Sequence, residues 1–236
     1  MGKANFVLAI VIAVLFSLAC GFMLWSGYGI WALAAYAGII VCFPLQYVFH
    51  ELGHVVFGAI CKIKVIPEFS FFRSDRCKIL PKTDKRLKPR IVITSLGGLI
   101  VNLILGIFGF LAFSKLIPLW LCVFLPSSAY ILEINANRTN GASGKTDMDI
   151  CFELLSGSDE GKVLLAVLTV QAQLNCGKRI TEIDEALLFN VPQIREDDES
   201  FIALTELRYE YVKARDGEET AKPYKDRFEM LKEYLS

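Results

Sequence analysis

From Ala4 to His50 the chain carries no Asp, Glu, Lys or Arg, and Glu51 is the first formal charge after Lys3. Soluble domains place a charged residue at roughly one position in four, so a surface made from this stretch would have little to hold it in water. A bilayer accepts it readily, because about 20 apolar residues in helical form cross the hydrocarbon. The whole chain agrees, with 54% hydrophobic residues and a mean hydropathy of +0.45. The net charge of zero conceals an asymmetry. Up to Asp149 there are 14 Lys/Arg against 7 Asp/Glu, and from Ile150 onward 11 against 18. A basic, membrane-like part is followed by an acidic, polar one.

Four spans are expected. Asn5 to Trp25 is the first, read as retained: Leu18-Ala19-Cys20-Gly21 resembles a lipoprotein cleavage site, but Ser17 stands where a branched residue is usual and the apolar run continues beyond. Ser26-Gly27-Tyr28-Gly29 turns the chain into a second apolar segment, Ile30 to Cys61, with Pro44 expected to kink or break its helix. Ile91 to Phe113 is the third, where Gly97, Gly98, Gly106 and Gly109 allow close helix approach. Leu116 to Leu132 is the fourth.

Between the second and third spans, Lys62 to Arg90 carries ten basic and three acidic residues. That excess places the loop in the cytoplasm, and both termini with it. Topology accounts for these charges, so no nucleic-acid partner is expected. Within the loop, Val65–Phe72 and Cys77–Leu80 read as the strands of a short hairpin, with Pro67 making the first an edge. After the Asn- and Gly-rich stretch 135–144, amphipathic helices are expected at Ser158–Cys176, Thr181–Asn190, Asp197–Arg215 and Glu219–Leu235, with Thr181 and Asp184 as a start signal. The expected fold is an all-α polytopic membrane protein with about four transmembrane helices, a short cytoplasmic β-hairpin loop and a C-terminal soluble helical domain. Residues 1–152 are expected to form the membrane core, and residues 153–236 a cytoplasmic helical domain, repeat-like by analogy and open to a protein partner. The seven cysteines are scattered without a C-x-x-C pair, as buried thiols in a reducing compartment would be.

The chemistry lies at the end of the second apolar segment. His50-Glu51-Leu52-Gly53-His54 holds both histidines of the chain. On a helix, positions i and i+4 share a face, so the two imidazoles can bind one zinc ion, and Glu51 is placed to take a proton from water. Catalytic zinc needs a third protein ligand. Asp147 and Asp149 are the candidates at a plausible depth, with Glu133 a weaker one. Asn102, a polar group within the third span, requires a partner there.

With these residues in view, positions 30 to 152 resemble the site-2-protease group of intramembrane zinc metalloproteases. The resemblance rests on H-E-L-G-H in a span, on Gly98 with Asn102 in a later span, and on an Asn-rich stretch followed by an aspartate. It implies Asp147 as third ligand, Glu51 as the catalytic acid–base, and Asn135 (less closely Asn137) beside Asn102 as polar support for substrate. Leu99, Arg138 and Met148 stand where that group often has Pro, Pro and Gly. It also implies an integral protein of a bacterial cell membrane that hydrolyses a peptide bond within or near the transmembrane segment of a substrate, with the strand near Val65–Phe72 holding the unwound chain by strand addition. The alternative is a catalytically weak zinc-binding scaffold or regulator. A metal transporter is disfavoured, since the spans lack a chain of further ionisable residues.

Overall fold

A helix of 32 residues, Gly29–Ile60 (α1), brings the chain to the motif and past it. In the computed structural model the described residues are 14, 17–18, 21–67, 78–112 and 145–235, with the backbone alone described for 31–44, 106–112 and 234–235. The expected break at Pro44 does not occur, because α1 runs through it. A missing N–H removes one rung of the ladder, and long runs of apolar helix on both sides keep the rest.

Lys62, in the left-handed region at φ 57°, ends the helix and turns the chain into a strand. Ile63–Ile66 (β1) pairs antiparallel with Lys78–Pro81 (β2), Ile63 opposite Pro81 and Ile66 opposite Lys78. Ile63 and Val65 face inward while Lys64 and Ile66 face out. The first strand therefore begins two residues before its expected start. Its predicted continuation from Glu68 to Phe72 lies outside the described residues.

Leu87–Ala112 (α2) returns along α1. The two backbones touch at glycines: a Cβ on Gly53 would stand 2.6 Å from the Gly97 carbonyl oxygen, and one on Gly97 would stand 2.8 Å from the Gly53 carbonyl oxygen. This is the close approach expected of Gly97 and Gly98. Among the described residues one segment, Leu87–Leu105, is long and apolar enough to cross a membrane by length and composition. Most of the first expected span and all of the fourth lie outside the described residues.

The polar part is helical: Asp147–Ser156 (α3), Asp159–Asn175 (α4), Ala186–Phe189 (α5), Glu199–Asp216 (α6) and Glu218–Leu235 (α7). Ser158 caps α4 through the Gly161 N–H, and Asp198 caps α6 through the Ser200 N–H, as Ser and Asp do at helix starts. The single helix expected over Thr181–Asn190 is instead a 3₁₀ turn at Ile180–Glu182 and the short α5. Ile183 is extended (ψ 139°), which interrupts the ladder, and Asp184 bonds the Ala186 N–H and not a helix begun at Thr181. Gly177 and Gly217, both at φ 92°, end helices as their type allows.

Two apolar cores result. Val163, Val170, Leu188, Leu204, Val212 and Ala221 centre the C-terminal helices. Ile63, Leu87, Ile91, Cys151, Leu154 and Leu168 join the hairpin, the foot of α2, α3 and α4. Helix α4 contributes to both. Its C-terminal end is also tied to the hairpin, where Asn175 Nδ2 donates to the Pro81 carbonyl at 3.2 Å. Asp147 thus begins a helix wedged between the apolar pair α1–α2 and the polar helices. Among the described residues the structure is mostly helical with one small two-stranded sheet.

Candidate metal centre

His50 and His54 lie one turn apart on α1 and are each 2% exposed. Their Nε2 atoms are 3.2 Å apart. Asp147, the first residue of α3, places Oδ2 3.2 Å from each of them. Three ligand-type atoms from two distant parts of the sequence therefore form a near-equilateral triangle.

The triangle could hold a positive charge at its centre. His54 Nδ1 donates to the Thr94 carbonyl oxygen at 2.9 Å, which in a neutral imidazole leaves Nε2 as a lone pair. That lone pair faces a second ring nitrogen and a carboxylate oxygen. Asp147 Oδ2 is buried and has no hydrogen-bond partner, and neither has His50 Nδ1 nor Glu51 Oε2. The spacing is compatible with a metal ion. A tetrahedral ion with bonds of about 2.0 Å holds its ligand atoms about 3.3 Å apart. The two imidazole nitrogens and one carboxylate oxygen match that edge length, and three protein ligands leave one position open.

Close packing shapes the space. A Cβ on Gly98 would fall 2.6 Å from His50 Cε1 and from His54 Nε2, and 2.7 Å from His50 Nε2. The bare backbone of α2 therefore lies directly against the metal-facing edges of both rings. Tyr47, one turn before Glu51, hydrogen-bonds its carboxylate. Glu51 Oε2 is buried with no hydrogen-bond partner, which leaves it for a proton.

Of the two aspartates left open by spacing, each has a different task. Asp149 Oδ2 accepts from the Thr146 backbone N–H at 3.0 Å, and the Thr146 hydroxyl accepts from the Asp149 N–H at 3.2 Å. This reciprocal capping box starts α3 and leaves Asp147 to point at the histidines. We expect Asp149→Ala to lower thermal stability by about 1 kcal/mol while metal content stays near wild type. Asp147→Ala should do the opposite and empty the site, as metal analysis beside a melting curve will read.

Cys151, one turn beyond Asp147, does not join the group. Burial, and after it the Asp147 charge, push its thiol up to about 12. Its Sγ rests 3.7 Å from the Val92 carbonyl oxygen.

Asn102 is 1% exposed, and both its amide atoms lack a hydrogen-bond partner. It lies four residues after Gly98, on the face of α2 that meets the imidazoles. Ser95, three residues before Gly98 on that face, is likewise buried with its hydroxyl unpartnered. Asn135, Asn137 and Glu133 lie outside the described residues. Thr94 was not legible as a site residue, because it acts through a backbone carbonyl 40 positions from its partner. Gly98 was legible for helix packing only.

No family model, curated protein or solved structure gives a significant match to the chain.

Proposed function

We propose that the chain is an intramembrane zinc metalloprotease of the kind its resemblance to the site-2-protease group implies. The substrate is a membrane protein cleaved within or near its transmembrane segment. The observation that carries this reading is the buried triangle of His50, His54 and Asp147 with the unpartnered Glu51 Oε2 on the same helix. Two nitrogens and one oxygen at tetrahedral spacing suit zinc.

The surface supports a membrane setting. Leu45, Phe49, Leu52, Val56 and Ile60 recur at helical spacing on α1, each 38–72% exposed. Such a continuous apolar stripe is a liability in water and is matched by lipid. The basic residues of the 62–90 segment then face the cytoplasm, and four spans complete the topology.

Bound zinc supplies Lewis acidity toward a water molecule and toward the scissile carbonyl oxygen. The chain's own residues do the rest. Glu51 accepts a proton from the attacking water and passes it to the leaving amine nitrogen. His54 keeps its ring fixed through Thr94, so that the Nε2 lone pair points to the ion. Asn102 offers an amide to an unwound peptide, whose own N–H and C=O groups lose their helical partners.

The test is cleavage of a co-expressed panel of single-span membrane proteins, followed in detergent with a strong zinc chelator. Cleavage should stop on chelation and return on adding zinc. Cleavage that persists in the chelator would contradict the reading, and stoichiometric zinc without cleavage of any span would favour the scaffold alternative.

A further inference from the structure

Asp147 stands at the N-terminus of α3, and residues 113–144 before it lie outside the described part of the chain. What holds this ligand therefore matters. The capping box of Thr146 and Asp149 is local and moves with α3. One further tie reaches a different element. Lys145, two residues before Asp147, is only 12% exposed, and its Nζ lies 2.9 Å from Asp198 Oδ2 on α6. The same ammonium meets Glu153 Oε2 on α3 at 2.7 Å and Ser200 Oγ at 3.2 Å.

The knot is well built. Asp198 uses its two oxygens separately: Oδ1 accepts the Ser200 N–H at 2.8 Å and caps α6, while Oδ2 takes Lys145. Lys145, Glu153 and Asp198 are all 14% exposed or less, so their charges are shielded from water and counter-ions. Charge-assisted hydrogen bonds in such surroundings hold geometry more firmly than exposed pairs do. Burial raises the Glu153 carboxyl above its ordinary value, and the Lys145 ammonium opposes that rise. Removing the tie leaves Asp147 to be placed by α3 packing alone.

We propose that Lys145 is a positioning residue for the third metal ligand, and that its bridge to Asp198 makes metal affinity depend on the C-terminal helices. The proposal rests on His50, His54 and Asp147 holding the ion. A displacement of the α6 N-terminus reaches the centre through two residues of backbone. Helices α6 and α7, which hold none of the three ligands, thereby set how tightly the ion is kept.

The experiment measures the zinc dissociation constant of the full chain in detergent by competition with a chromophoric chelator. The variants are Asp198→Asn, Lys145→Met, the double variant and Lys145→Arg. Asp198→Asn is the cleanest, since Asn caps a helix as well as Asp does while losing the charge. Its affinity should fall roughly ten-fold, within the range seen when residues behind metal ligands are changed. The double variant should lose no more than Lys145→Met, because both changes remove one interaction. Lys145→Arg should restore most of the affinity. A purely structural tie predicts a lowered melting temperature with the dissociation constant unmoved, and that result would overturn the proposal. So would additive losses in the double variant. Wild-type protein that binds no zinc would instead remove the metal reading beneath it.

Discussion

Glu51→Gln is expected to keep its zinc and to lose cleavage by roughly three orders of magnitude, the upper part of what a positioned acid–base group contributes. Glutamine preserves the shape of the side chain, so the buried site, where Glu51 is 5% exposed, does not collapse. Glu51 supplies none of the three atoms of the triangle, so metal content should change little. What is lost is an oxygen able to take a proton. Oε2 is the relevant atom, because it is buried and has no hydrogen-bond partner. Cleavage of a membrane substrate and zinc per chain, measured on the same preparation, decide the matter. Loss of both together would mean that Glu51 supports the fold and not the reaction.

Gly98→Ala should be as damaging without altering any ligand. The added methyl would sit 2.6–2.7 Å from ring atoms of His50 and His54. Either α2 shifts away from α1, opening the Gly53–Gly97 approach, or the imidazoles turn and His54 gives up its bond to Thr94. We expect zinc affinity to fall by at least about a hundred-fold, the upper end of losses from disturbed ligand support, with overpacking costing about 1–3 kcal/mol of stability. Gly21→Ala serves as the control, because a Cβ there meets nothing within 4 Å. Near-normal zinc affinity in Gly98→Ala would mean that α2 does not pack on the rings.

Much of this centre was legible before the fold was known, for a physical reason. An i, i+4 histidine pair flanking a glutamate is a local pattern, and helix geometry alone brings the two rings together. The third ligand was not local. Spacing left Asp147 and Asp149 both open and the resemblance pointed to Asp147; the structure brings Asp147 Oδ2 within 3.2 Å of both imidazoles, while Asp149 bonds the Thr146 N–H. Thr94 and Lys145 were invisible for a similar reason: each acts across a contact with no sequence periodicity. The helices of the polar part followed their caps where Ser or Asp stood at the start. The exception was Thr181, where extended Ile183 cut the expected helix in two. Pro44 did not break the helix, since one lost hydrogen bond does not end a helix as long as α1.

The most direct measurement is zinc X-ray absorption on the purified chain, with total metal determined on the same sample. The account predicts one zinc per chain, bound by two imidazole nitrogens and a carboxylate oxygen at about 2.0–2.1 Å, with the oxygen contribution from protein lost in Asp147→Ala. A chain that carries no stoichiometric metal, or one whose zinc sits among sulfur ligands, would contradict it.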